Sequence, residues 1–417
     1  MTATAGNNKV IGFEQYAAPP HSWVMASSET HVGVVITIVL LLSVHRVTSC
    51  YSSIFSFGDS LADTGNILAS DGDSAGAVSR LPYGETYFHR PTGRYSDGRL
   101  IIDFIAQAMG VPLLRPYLGG GSDEDFRHGA NFAVGGATAL NSSFFRDKKI
   151  DVSWTEYSLQ VQIEWFKQLL RSTPSVSAMT EPSILGNSLF LVGEIGGNDY
   201  NHPFFQNQRV EEIRTFVPSV VEAISSAITD LIKLGAKNLV VPGNLPIGCV
   251  PVYLTQFQTQ KLDDYDAKTG CIRWLNEFSQ YHNRLLQDEI ERVRGLHPNA
   301  TIAYADYYES AMRLFESPKQ FGFKEPLSAC CVGCGGPSAK LCSDPSSYAS
   351  WDGLHLTEAA YRTIANGLLK GPLAVPSLNQ TCPNVQQSSS STDTLKLLCF
   401  SMSISSFAWL QKKSTLF

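Results

Sequence analysis

The chain has 417 residues, 43% of them hydrophobic and 17% charged, which is ample apolar material for a folded core and excludes a disordered polyampholyte. Its formal net charge of −6, with no long Lys/Arg run, excludes the basic footprint that a nucleic-acid partner demands. No nucleic acid is expected among its partners.

Residues 1–49 read as an N-terminal extension and signal peptide. "VGVVITIVLLLSV" (Val32 to Val44) is uncharged and apolar, and "VTS" (Val47 to Ser49) supplies small residues for a cut ahead of Cys50. The run is about thirteen residues, where a spanning helix needs roughly twenty, so secretion is expected and a stable membrane span is not. Met25 is the better-placed start, although no Lys or Arg separates it from the apolar run.

Residues 50–385 form one predicted domain in which strands and helices alternate. Five short apolar runs read as strands: "SSIFSFGDS", "GANFAVGGA", "NSLFLVGEIGGND" (Asn187 to Asp199), "KNLVVPGNLP" and "ATIAYADYY". Between them, Phe216 to Ala236 and Trp274 to Pro298 carry apolar residues at helical spacing, with stops at Gly235 and at Gly295 and Pro298. Buried strands alternating with amphipathic helices imply an α/β fold with a parallel sheet covered on both faces. The basic residues from Arg90 to Arg99, interleaved with Asp97, read as a solvated loop.

Of nine cysteines, Cys50 and Cys399 are terminal, and Cys249, Cys271, Cys330, Cys331, Cys334, Cys342 and Cys382 of the body read as disulfides in a secreted chain. "CCVGCGGPSAKLC" (Cys330 to Cys342) contains a CxxC but no second clean one, so a disulfide-stapled glycine-rich loop is expected there rather than a zinc knuckle, and no metal site is assigned. Asn141-Ser-Ser, Asn299-Ala-Thr and Asn379-Gln-Thr read as glycosylation acceptors. Residues 386–417 form a low-complexity C-terminal extension; a cleaved lipid-anchor signal is the competing reading, but the spacer is short and the end is not apolar.

In open α/β sheets ligands sit beyond the carboxyl ends of the strands. Ser60 follows the first strand, Gly135 and Gly136 the second, and Asn198 with Asp199 the third. "WDGLHLTEAAY" (Trp351 to Tyr361) places Asp352 and His355 just before a helix that Thr357 is positioned to cap. These residues form a chemical set. A serine hydroxyl needs a base within hydrogen-bond reach to attack at neutral pH. Histidine suits that role, and a carboxylate fixes its tautomer and stabilises the imidazolium. Glycine N–H groups and an asparagine amide are suitable donors for a carbonyl oxygen that gains charge. The α/β-hydrolase elbow, Gly-x-Ser-x-Gly, is excluded because Ala62 stands where its second glycine belongs.

"FGDSLADTGN", "NFAVGGA", "GEIGGNDY" and "WDGLHLTEAAY" together resemble the four blocks of the GDSL esterase/lipase family, or SGNH hydrolases, in its plant secreted branch. "LPYGETYFHRPTGRYSDGRLIIDFIA" and "NLPIGCVPVYLT" resemble the same branch. The resemblance runs in order from about Ser53 to Cys382. It implies a three-layer α/β/α sandwich, flavodoxin-like, around a mostly parallel five-stranded sheet. It also implies a nucleophile at Ser60, a base at His355, an orienting carboxylate at Asp352, and oxyanion donors at Ser60, Gly136 and Asn198, with Gly135 the rival for the second. The activity implied is cofactor-free hydrolysis of a small-molecule or lipid ester through an acyl-serine. An acyltransferase with the same intermediate, or a non-catalytic secreted binding protein on the same fold, is the alternative. "GETYFHRPTGRYSDGR" and a loop from Asn201 to Gln208, with His202, Phe204 and Phe205, are candidates for shaping the acyl or alcohol pocket, or for plain packing.

Overall fold

The computed structural model describes residues 50–122, 125–152, 155–172 and 185–378. The leader, the C-terminal extension, Cys382 and Asn379 lie outside the described residues.

The five apolar runs are the five parallel strands of one sheet. They are β1 (Ile54–Phe57), β2 (Gly129–Asn131), β3 (Leu189–Val192), β4 (Asn238–Pro242) and β5 (Thr301–Ala305), in spatial order β5-β4-β3-β1-β2. A two-residue strand, β6 (Ala374–Val375), adds antiparallel to β5 and makes the sheet six-stranded. So short a segment carries no periodicity to read.

Among the described residues, seven α-helices of eight residues or more flank the sheet. They are α1 (Ile101–Ala108), α2 (Leu159–Ser172), α3 (Gly197–Phe205), α4 (Val217–Leu234), α5 (Arg273–Leu296), α6 (Tyr307–Glu316) and α7 (Glu358–Lys370). Alternate strand residues divide between two cores: Phe55, Phe57 and Phe190 join α2, α4 and α5, whereas Ile54, Leu189 and Leu191 join α1, α6 and α7. Three layers result. Phe166 of α2 packs its ring 5.0 Å from Phe55 and 5.8 Å from Phe57, an aromatic cluster directly beneath the end of β1.

Helix ends follow local chemistry. Pro218 opens α4, and Gly235 closes it at φ 117°, its N–H returning to Leu231 and Ile232. The predicted stop at Gly295 lies inside the last turn of α5, which continues to Leu296. The segment Val210–Leu234 is long and apolar enough to cross a membrane, but half of it is buried, as befits a core helix.

One region departs from expectation. The Arg90–Arg99 stretch is not a solvated loop. Arg94 is buried and pairs through both Nε and Nη2 with Asp103, while its Nη1 donates to the Thr64 carbonyl. Arg99 pairs with Glu358, and Asp97 accepts the N–H of Glu358 at 2.7 Å. Paired guanidinium groups tolerate burial where isolated ones do not; Asp103 is nine residues from Arg94, whereas Glu358 lies 259 residues from Arg99.

The four clustered cysteines form Cys330–Cys342 and Cys331–Cys334, so their sulfurs hold each other, and Cys249 joins Cys271.

The end of β1 is built around Gly58. Its φ is +149°, and a Cβ there would lie 2.1 Å from the carbonyl oxygen of Gly193, so only glycine lets the two strand ends approach. The Gln162 side chain of α2 brackets this peptide: Oε1 accepts the Gly58 N–H and Nε2 donates to its C=O, both at 2.8 Å. Replacing Gln162 by Leu leaves that buried N–H without an acceptor, and is expected to lower unfolding stability by about 1–3 kcal/mol in urea titration. An unchanged midpoint would show that the bracket contributes nothing.

Candidate active site

Gly58 and Asp59 carry the chain off β1 into a turn, and Ser60 sits on it, on the carboxyl side of the sheet. The Asp59 carbonyl accepts the N–H groups of Ala62 and Asp63, and its Oδ1 accepts that of Leu61. Behind the turn, Asp63 accepts backbone N–H groups from Gly65, Asn66, Ile67 and Gly135, while Asn66 donates to the carbonyls of Asn131 and Ala133. These buried bonds lock the turn after β1 to the segment after β2.

His355 arrives from the other end of the chain. Asp352 Oδ1 accepts the backbone N–H groups of Leu354 and His355 at 2.9 and 2.8 Å, which curls the loop, and Trp351 N–H closes it on the His355 carbonyl at 2.7 Å. Thr357 then caps α7, its Oγ1 accepting the N–H of Ala360. The curl turns Asp352 Oδ2 onto His355 Nδ1 at 2.6 Å, and His355 Nε2 lies 2.8 Å from Ser60 Oγ. Beside a carboxylate Nδ1 carries the proton, so Nε2 is the acceptor facing the serine hydroxyl.

Burial opposes charge on Asp352, but the His355 ring and the two backbone donors outweigh it and hold the carboxyl far below the usual range. The neighbouring acids behave oppositely. Burial pushes Asp59 up to about 7, against the Leu61 N–H and His355, and pushes Glu194 well above its usual value, with Asp59 adding to it.

Ser60, His355 and Asn198 line one cavity of about 60 Å³. Leu61, Ile195, Leu245, Ile247, Val250 and Leu354 give it apolar walls, and Asn201, Asn244 and Tyr253 add polar groups. Asn198, in the first turn of α3, donates its amide to the Ala137 carbonyl at 3.0 Å and, at 3.3 Å, to Asp59. The N–H groups of Ser60 and Gly136 have no partner among the described residues, whereas that of Gly135 is held by Asp63 at 2.8 Å. His202 Nε2 meets the Gly136 carbonyl at 3.4 Å. Asn201 to Phe205, expected as a loop, continues α3; Phe204 is core, and Asn201 reaches the cavity. Asn141 and Asn299 are exposed.

Sequence reasoning passed over Tyr83, Tyr95, Gln162 and Glu194. Glu194, at φ 32°, lines the cavity with an Oε2 that has no hydrogen-bond partner. Its place among apolar strand residues offered no signal beyond an unusual charge.

The fold is the mostly parallel α/β/α sandwich of the SGNH hydrolases, distinct from the α/β-hydrolase fold whose elbow this chain lacks. Comparison with known proteins agrees: the family model GDSL-like Lipase/Acylhydrolase matches residues 54–368. A GDSL esterase/lipase of Arabidopsis thaliana is 49% identical, over 82% of this chain and 91% of its own length. Sinapine esterase of Brassica napus is 50% identical, over 80% and 88% respectively. Among solved structures, phospholipase A1 from Streptomyces albidoflavus NA297 aligns with a TM-score of 0.35 and 14% identity, covering 80% of this chain and all of its own, a remote likeness only. The chain belongs to the GDSL esterase/lipase family, and it is a carboxylic ester hydrolase.

The raised Glu194 carboxyl has a measurable consequence. An acid whose folded pKa is raised keeps its proton where the unfolded chain has lost it, so its contribution is greatest below about pH 4 and declines as pH rises toward the folded pKa. Glu194→Gln removes this dependence. Its stability relative to wild type is expected to rise with pH above the ordinary carboxylate range in paired urea titrations, with a limiting slope of roughly 1.4 kcal/mol per pH unit. A difference constant with pH would show that Glu194 is ionised in the folded protein.

Proposed function

We propose that this chain is a secreted serine esterase that works through a covalent acyl-enzyme, with Ser60, His355 and Asp352 as its triad. The observation that carries the reading is the continuous line of hydrogen bonds Ser60 Oγ, His355 Nε2, His355 Nδ1, Asp352 Oδ2, opening on an apolar-walled cavity. Ser60 Oγ attacks the ester carbonyl while its proton passes to His355 Nε2. The imidazolium, held by Asp352, returns the proton to the leaving alcohol oxygen. Water then attacks the acyl carbon as it loses a proton to His355, and His355 returns that proton to Ser60 Oγ as the Oγ–acyl bond breaks and the acid leaves.

The unpartnered N–H groups of Ser60 and Gly136 and the Asn198 amide are the donors assigned to the oxyanion. Asn198 has to give up its long contact with Asp59 to serve, while its bond to Ala137 remains. The rival, Gly135, is weakened by its bond to Asp63. The disulfides support passage through an oxidising compartment, with the leader removed before Cys50 and glycans at exposed Asn141 and Asn299 and at Asn379. N-terminal sequencing of secreted protein tests that route; a mature chain that retains Val32 to Val44 would refute it.

Ser60→Ala is expected to abolish both ester hydrolysis and labelling by an active-serine phosphonate, and Asp352→Asn to lower kcat by about 10⁴-fold with labelling slowed in parallel. Hydrolysis that survives in Ser60→Ala would sink the triad; a folded wild type that neither labels nor turns over any ester would leave the binding-protein reading in its place.

A further inference from the structure

A fourth side chain reaches the Asp352–His355 pair. Tyr83 Oη donates to Asp352 Oδ2 at 2.8 Å, and this is the oxygen that also accepts His355 Nδ1–H. Oδ1 is already filled by two backbone donors, so Oδ2 is the atom through which the carboxylate acts on the ring. Tyr83 comes from the segment before α1, 269 residues away in the chain. Its ring is buried and fixed edge-on against Trp351 at 6.0 Å and Tyr95 at 6.4 Å, and Tyr95 lies 4.5 Å from the His355 ring. The segment is fastened beside α7 by Thr86 on Asp97, Asp97 on the Glu358 N–H, and Arg99 on Glu358.

We propose that Tyr83 is a positioning residue that sets how strongly Asp352 holds the imidazolium of His355. This rests on the triad reading above. Two donors share one carboxylate oxygen, so each weakens the acceptor for the other. A phenol that always donates therefore moderates the pull of Asp352 on the ring and keeps the carboxylate from turning away from it. Burial and the neighbouring Asp352 charge drive the Tyr83 phenol far above its usual range, so it remains a donor throughout the working pH interval. The other titratable groups facing the pair are Tyr95 from the same segment, Asp59 from the turn after β1 with Asp63 and Glu194 behind it, and Tyr361 from α7. Among the described residues, none of these has a side-chain hydrogen bond to Asp352, whereas Tyr83 does.

The test is the pH dependence of kcat/KM on a neutral aryl ester, with the rate of phosphonate labelling as a second readout, in the full chain. Tyr83→Phe keeps the ring packing and removes the donor. It is expected to move the acid limb of both profiles up by about half a unit to one unit, and to lower the plateau by about tenfold. Site-specific replacement of Tyr83 by a fluorotyrosine, a stronger donor of nearly the same size, is expected to move the limb the other way; it also carries the test if Tyr83→Phe does not fold. Thr86→Ala loosens the same segment without touching the pair, and is expected to leave the limb in place. A uniform loss across pH in Tyr83→Phe, or matching profiles in Tyr83→Phe and Thr86→Ala, overturns the proposal and leaves Tyr83 a packing residue. Ser60→Ala, run alongside, separates this outcome from failure of the triad, because only the latter leaves Ser60→Ala active.

Discussion

The turn after β1 must present a serine hydroxyl to a cavity while its own peptide groups leave water. Every other feature of the site depends on meeting that constraint, because a buried backbone donor or acceptor without a partner costs as much as several good packing contacts contribute. Side chains stand in for strand partners here. Gln162 brackets Gly58 as a neighbouring peptide would, Asp63 gathers four N–H groups, and Asn66 and Asn131 tie the turn to the segment after β2. Among the described residues the N–H groups of Ser60 and Gly136 have no partner, and both are the donors proposed for the oxyanion. Donors held by a bonded framework and left open toward the reacting centre are pre-organised for it.

The carboxyls around this centre show how environment divides one functional group into two kinds. Asp352 receives donors at both oxygens and a ring that becomes cationic, so it holds its charge despite burial. Asp59 and Glu194, also buried, have few donors, and a neighbouring acid adds to the cost of ionising each: Asp63 for Asp59 and Asp59 for Glu194. The cavity wall carries no Lys or Arg among its lining residues to relieve them. Burial thus acts on all three, and the charge interaction with His355, followed by the hydrogen bonds, keeps Asp352 ionised.

Local patterns in this chain were good guides where the physics is local. The five parallel strands, the helices α4 and α5 and the Thr357 cap follow from hydrophobic period and cap chemistry, and Ser60, Asn198, Asp352 and His355 were legible because ordered blocks carried them to strand and helix ends. What failed depended on which groups the fold brings together. Arg94 and Arg99 looked like a solvated loop because nothing in the stretch marked Asp103 or Glu358 as their counter-charges, or the Glu358 N–H as the donor to Asp97. Tyr83 and Gln162 looked like ordinary residues because the groups they satisfy lie hundreds or scores of residues away.

By itself, then, the sequence determined the alternation of strands and helices, the family, and the chemical types available for catalysis, since those reside in short stretches read independently. Only the tertiary structure decided which glycine N–H remains open, which carboxyl keeps its charge, and that a tyrosine shares the oxygen on which His355 rests. Those outcomes depend on distances between segments and on which oxygen or N–H is already taken, and no spacing along the chain encodes either.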